Sequence, residues 1–173
     1  MQTITSHIDG IPVTVPDDHI GKRMAAGLWY EDKMLRRIES AYAPGRYVDV
    51  GAHVGNHSLF FARMGSRVDA FEPNPDTRTL LVRNTKGHSI TVHAEAVGAE
   101  IGLAHLIDGP PENTGMARIR LNTRGRIPVT TLDYALSGRV DLIKIDCEGM
   151  EAAVLKGAMR ILSEYRPALF VEC

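Results

Sequence analysis

Apolar and polar positions along the chain follow more than one rhythm. Two β-prone segments, Thr3 to Ile8 and Ile11 to Val15, flank Asp9-Gly10, a dipeptide that accepts the positive φ angles of a two-residue hairpin turn. Pro16-Asp17-Asp18 then opens a helical region, and Glu31 to Tyr42 places Met34, Leu35, Ile38 and Tyr42 on one face until Pro44-Gly45 ends it. From Arg46 the pattern becomes short apolar runs alternating with helical ones. Arg46 to Val50, Arg67 to Phe71, Ser89 to His93, Asp141 to Asp146 and Pro167 to Glu172 predict five strands. Helices are predicted from Ser58, from Pro75 behind an Asn74 cap to a stop near Gly87, and from Ala152 to Tyr165. Strands alternating with helices predict an α/β domain around a mainly parallel sheet.

Residues 98 to 130 break that alternation. Gly102 to Ile107, Ala117 to Leu121 and Ile127 to Thr131 read as short strands around the loop Gly109-Pro110-Pro111-Glu112-Asn113-Thr114-Gly115. An insertion at this place predicts an added antiparallel edge or a cover over a site, with a plain surface hairpin as the alternative.

The chemistry concentrates at strand ends. Val50 is followed by Gly51-Ala52-His53-Val54-Gly55-Asn56-His57, a glycine loop between a strand and a helix of the kind that cradles nucleotides. Asp49 at the strand end argues against a pyrophosphate, because an acid beside a helix N-terminus opposes the phosphates the helix attracts. A phosphate-free ligand with a positive end, such as S-adenosylmethionine, suits it better. Glu72, in Glu72-Pro73-Asn74-Pro75, ends the second strand about 20 residues on, where an acid accepts hydrogen bonds from ribose hydroxyls. Glu95-Ala96-Val97, leaving the third strand, then fall where an adenine would lie. Asp146 and Glu148 end the fourth strand and are expected in the same crevice, and they and His57 are the candidate proton acceptors. The alternatives for these acids are helix caps or loop solvation; for His53 and His57 they are capping or packing. Lys144, inside the fourth strand, must be paired, and a site carboxylate is the expected partner. Trp29-Tyr30-Glu31 either touch substrate or anchor the preceding helix to the core.

Composition adds mostly exclusions. The chain has 173 residues, enough for one domain with a sizeable core, and its 20 basic against 21 acidic residues give a net charge of -1, with no footprint for nucleic acid. Its two cysteines, Cys147 and Cys173, form neither a disulfide framework nor a metal pattern. With no signal peptide or membrane-length apolar run, the expectation is a cytoplasmic protein with no membrane partner.

DVGAHVGNHSLFFA, AFEPNP and DLIKIDCEGMEAAVLKGA, in this order, resemble the FkbM family of S-adenosylmethionine-dependent methyltransferases, and WYEDKML, NTG and TTLDYAL fit its looser pattern. The likeness runs from about Gly27 to Cys173. His53 departs from it, since the family commonly has Asn there. The resemblance implies a class I methyltransferase, a Rossmann-like three-layer sandwich with core strand order 3-2-1-4-5, here with an extra N-terminal hairpin. It also implies methylation of a hydroxyl on a sugar, polyketide or other small metabolite. A catalytically inactive binding or regulatory module of the same fold is the alternative. Asp49, Gly51, Ala52, His53, Gly55, Asn56, Glu72, Pro73, Asn74, Glu95, Ala96, Val97 and Asp146 are then the expected cofactor contacts. No metal is expected: Asp146 and Glu172 end adjacent strands, as magnesium-holding acids do in catechol-type enzymes, but a third oxygen ligand is missing. The class I fold continues with a sixth and a seventh strand for which this sequence has no residues. The expectation is a C-terminally truncated core, with the edge Ala168 to Val171 bare or paired with another chain.

Overall fold

A computed structural model of the chain describes residues 2–107, 109–110, 113–121 and 124–172. Pro111 and Glu112 of the inserted loop and Cys173 lie outside the described residues. The N-terminal hairpin pairs β1 (Thr3–Ile8) with β2 (Ile11–Pro16) antiparallel. Asp9 and Gly10 at its turn both take positive φ, 49° and 82°, which matches the twist of the strands they join. Helices α1 (His19–Ala25) and α2 (Asp32–Ala41) follow.

The core is a five-stranded parallel sheet of β3 (Arg46–Val50), β4 (Arg67–Phe71), β5 (Ile90–His93), β10 (Leu142–Ile145) and β11 (Ala168–Val171), in the order β11-β10-β3-β4-β5. This is the 3-2-1-4-5 order expected of the strands in core numbering. Alternation along each strand assigns residues to two faces. Tyr47, Val68, Ala70 and Leu142 join the hairpin, α2, α3 (Asn56–Arg63) and α4 (Pro75–Asn84) in one apolar core. Val48, Val50, Phe71, Ile143 and Ile145 join the helices that precede and follow β10 in another. Asp49 and Lys144 therefore share the first face, and the register that sets Lys144 beside Asp49 brings their charges together.

Three expectations are corrected. Residues 96–130 form neither an extra edge of the core sheet nor a plain hairpin. They build a separate sheet, β6 (Ala96–Val97), β9 (Ile127–Thr130), β7 (Gly102–Ile107) and β8 (Arg118–Leu121) in that order, with β6 parallel to β9 and the other pairs antiparallel. The stretch expected as an adenine loop thus ends in a strand. The last helix is two, α6 (Glu151–Lys156) and α7 (Met159–Tyr165), after a short α5 (Leu132–Ala135). The break falls at Gly157, where a Cβ would stand 2.1 Å from the Gly98 carbonyl oxygen, so the close approach needs glycine. Helix α3 begins at Asn56, two residues before the apolar run, because Gly55 at φ 97° turns the chain into it. Among the described residues no helix is long and apolar enough to cross a membrane.

Candidate active site

A cavity opens beyond the carboxyl ends of β3, β4 and β10, the place where open α/β sheets bind their ligands. Its floor is the glycine loop. Gly51 stands at φ 78° with its Cα pressed on the β10 end: an added Cβ would lie 1.7 Å from the Asp146 carbonyl oxygen. His53 is held at φ 51°, where asparagine is the most tolerant residue after glycine, a backbone reason for the asparagine that the resemblance implies here.

Glu72, buried at the tip of β4, is gripped by backbone. The His53 amide donates to its Oε2 and the Asn74 amide to its Oε1, both at 2.8 Å, while Asn74 caps α4 through its own side chain. Burial pushes the Glu72 carboxyl up to about 7, against the pull of those two amides. The carboxylate lines the cavity with Pro73 and Asn74 and keeps lone pairs for further donors.

Lys144 is the electrostatic centre. Its Nζ lies 3.3 Å from Asp49 Oδ1, 3.4 Å from Asp146 Oδ2 and 3.2 Å from the Gly51 carbonyl oxygen. Burial opposes its charge, but Asp49 and Asp146 outweigh that and hold the ammonium above its ordinary pKa. Asp49 likewise pays burial, yet Lys144, His57 and a 2.6 Å bond from Ser58 keep it below the usual carboxylate range. The pairing expected for Lys144 is present.

Most expected contacts line this one cavity: Gly51, Ala52 and His53 from the loop, Glu95, Ala96 and Val97 from the β5–β6 turn, Asp146 and Glu148 beyond β10, and Asn56 and His57 from α3. Two do not. Asp49 is wholly buried beneath the floor, its charge committed to Lys144 and Ser58, and Gly55 packs on α4, where a Cβ would meet Leu81 at 2.9 Å. The preference against phosphate therefore passes from Asp49 to the acids that do face the cavity, Glu72, Glu95, Asp146 and Glu148. Asn56 lines the wall, but its amide is spent on the chain: Oδ1 accepts from the Tyr30 amide at 2.9 Å and Nδ2 donates to the Tyr30 carbonyl at 3.0 Å. Of the front aromatics, Trp29 is the anchor, edge-on to Phe60 at 5.3 Å with Nε1 donating to Asp9. Tyr30 faces the cavity. His57 Nε2 lies 3.0 Å from Glu31 Oε2, and that contact draws Glu31 below its usual range. Burial pushes the Cys147 thiol up to about 12, which makes it a poor nucleophile.

The roof comes from the second sheet. Leu106 and Ile119, cross-strand partners on β7 and β8, face the cavity with Thr114 of a single 3-10 turn, Thr114–Met116. Thr114 Oγ1 lies 2.8 Å from His53 Nε2 and donates to Asp18 Oδ2 at 2.7 Å, while Asp18 Oδ1 caps α1 at Gly21. Burial holds the His53 imidazole down near a pKa of about 4, so it meets Thr114 as a neutral ring. Sequence reasoning missed Thr114 and Asp18 as site residues; the NTG of the looser family pattern was the one available signal. Among the described residues no group of three His, Cys, Asp or Glu side chains is arranged to hold a metal.

The profile of the methyltransferase FkbM domain matches residues 49–173. The chain belongs to the FkbM methyltransferase family. A hexuronic acid methyltransferase of Haloferax volcanii, AglP, is 30% identical over 138 residues, covering 76% of this chain and 57% of that protein. A crystal structure of an FkbM methyltransferase from Methylobacillus flagellatus superposes with a TM-score of 0.54 at 26% identity, over 75% of this chain and 32% of that one. The tRNA (uracil-54, C5)-methyltransferase of Pyrococcus abyssi, solved with S-adenosylhomocysteine, shares the fold at TM-score 0.52 and 13% identity, over 92% of this chain and 32% of that one. This chain thus spans little more than half the length of the curated relative and about a third of each solved one. S-adenosylmethionine is the cofactor of this family, and the crevice presents a buried carboxylate, an apolar turn and several acids.

Proposed function

We propose that this FkbM domain methylates a hydroxyl on a sugar, polyketide or similar small metabolite, using S-adenosylmethionine. The observation that carries this reading is the amide-gripped Glu72 carboxylate facing one cavity with the Gly51 loop and Asp146. The hexuronic acid named for the Haloferax relative supports a sugar among the candidate acceptors.

Bound S-adenosylmethionine supplies an electrophilic methyl group, and its transfer breaks the carbon–sulfur bond with the electron pair going to sulfur. The chain's task is positioning, which converts an encounter of two molecules into a step within one complex. Glu72 would take the ribose hydroxyls, the backbone of Gly51 to His53 would hold the methionine end, and Ala96 and Val97 would flank the adenine with Glu95 as its polar contact. The acceptor oxygen forms the new bond to carbon, and its proton must leave. Asp146 would take it; the support is a carboxylate paired with Lys144 yet partly open to the cavity, with a side chain 29% exposed. His57 is turned toward Glu31, and Glu148 sits on a positive-φ turn farther along the loop.

Calorimetric titration with S-adenosylhomocysteine tests the binding half: saturable one-to-one binding that Glu72→Ala removes is expected, and the absence of binding to the parent chain overturns the reading. Methyl transfer to a hydroxylated acceptor that Asp146→Asn slows at unchanged S-adenosylhomocysteine affinity is the corresponding result for the chemical half.

A further inference from the structure

A second cleft adjoins the cofactor cavity and shares Lys144 and Asp146 with it. Its walls come from three elements. Glu31 and Met34 stand at the start of α2, Lys144 and Asp146 at the end of β10, and Phe170 and Glu172 at the end of β11. The register that sets Phe170 beside Lys144, together with strand alternation, puts the last four on one face of the sheet. A molecule in this cleft would lie on Met34 and Phe170 and meet the cofactor cavity at Asp146.

The charges of the cleft are one-sided. The Lys144 ammonium donates to the Gly51 carbonyl and lies 3.3 and 3.4 Å from the Asp49 and Asp146 carboxylates, so its charge is already answered by two carboxylates. His57 Nε2, on the cofactor-cavity side, is buried 3.0 Å from Glu31 Oε2 without forming a hydrogen bond. Glu31, Asp146 and Glu172 remain as groups that, when ionised, only accept hydrogen bonds. Their mutual repulsion is visible at Glu172, which burial, then Asp146 and Glu31, push up to about 7.

We infer that this second cleft is the acceptor subsite, built for a neutral or cationic hydroxylated molecule with one apolar face, such as a polyol or an amine-bearing sugar, and that it turns away acceptors carrying a carboxylate there. The inference rests on the methyltransferase reading for the word acceptor, while the charge preference rests on the cleft alone. Hydroxyl and ammonium donors find the carboxyl groups of Glu31, Asp146 and Glu172, whereas a uronate would bring a further negative charge to a cleft whose one ammonium among the lining residues, Lys144, is already paired with two carboxylates.

The test uses the full chain with methyl-labelled methionine and three probes matched in ring and size: cyclohexane-1,4-diol, 4-aminocyclohexanol and 4-hydroxycyclohexanecarboxylate. With S-adenosylhomocysteine present, the diol and the amine should move the Met34 methyl signal, the amine binding at least threefold tighter than the carboxylate. Glu172→Gln, at an exposed position, should narrow that ratio. Equal or tighter binding of the carboxylate, or a Met34 signal that none of the probes moves, overturns the inference. Probes that discriminate as stated on a chain that fails to bind S-adenosylhomocysteine overturn the methyltransferase reading and leave the charge preference standing.

Discussion

The floor and the roof of the cofactor cavity are made of different material. In the floor, every charged group is answered within the strand tips: Glu72 by two backbone amides, and Lys144 by two carboxylates and a carbonyl, all beside fully buried apolar strands. The roof sheet buries only Ala96, Ala104 and Val129 in a core of its own, and Leu103, Ile107 and Leu121 stay exposed on it. Val97 of β6 packs with Val50 and Phe71 in the main core, and across the cavity the tie is polar, the chain from His53 through Thr114 to Asp18. The contrast teaches that the strand-tip half of the cavity is welded into the core, while the half that closes over it is held by the buried end of β6 and a few hydrogen bonds. Elements with few buried contacts open most readily.

The hardest blow to the floor is Lys144→Met. It strands Asp49 as an uncompensated buried charge, a change that costs about 3–5 kcal/mol. At about 2–4 °C per kcal/mol for a chain this size, the melting temperature should fall by roughly 6–20 °C. A melt within about 2 °C of the parent would mean that the floor is not organised around that ammonium.

Glu72→Ala should separate binding from folding. Loss of charge-assisted hydrogen bonds worth about 1.5–3 kcal/mol predicts S-adenosylhomocysteine affinity weakened roughly 10- to 150-fold by calorimetry. A weakening below about threefold would move the ribose contact elsewhere.

The same residue gives pH effects of opposite sign. Its folded pKa of about 7 lies above the ordinary 4.5, so the folded chain keeps a proton that the unfolded chain has lost between those values. Its contribution to stability is full below about 4.5 and is lost as pH rises through 7. Ribose hydroxyls favour the charged form, so cofactor affinity should instead rise toward pH 7 and level off above it. Because Glu172 is also raised to about 7, both profiles are best taken in a Glu172→Gln background. There Glu72→Gln should flatten the stability slope, and an unchanged slope would remove Glu72 as its source.

Thr114→Val sharpens the contrast from the roof side. It removes the links to His53 and Asp18 and should cost about 1 kcal/mol, or roughly 2–4 °C, with cofactor affinity down a few-fold. A loss as large as that of Lys144→Met would show the roof to be as integral as the floor. Tyr134→Ala, 75% exposed on α5 and away from both halves, should change stability by less than about 0.5 kcal/mol in the same melts.

The core strands, the glycine loop and the place of Glu72 were legible in the sequence because they are written in near neighbours, whereas the order of the strands came with the family resemblance. Strand period, helix caps and turn glycines act within a few residues, and right-handed crossovers leave few ways to arrange what they make. Asp49 shows where that reasoning stops. Its position at a strand tip was legible, but not that Lys144, 95 residues on, would take its charge below the floor. Asn56 was read as a cofactor contact, and only the folded chain hands its amide to Tyr30. The roof sheet and the Thr114 strap were equally hidden, since their partners lie up to 96 positions apart. Local pattern thus determined which strands exist and what chemistry their tips carry. The fold alone decided which of those side chains meet a ligand and which are consumed holding one another, because a buried polar group must be satisfied by whatever the completed packing brings within about 3 Å.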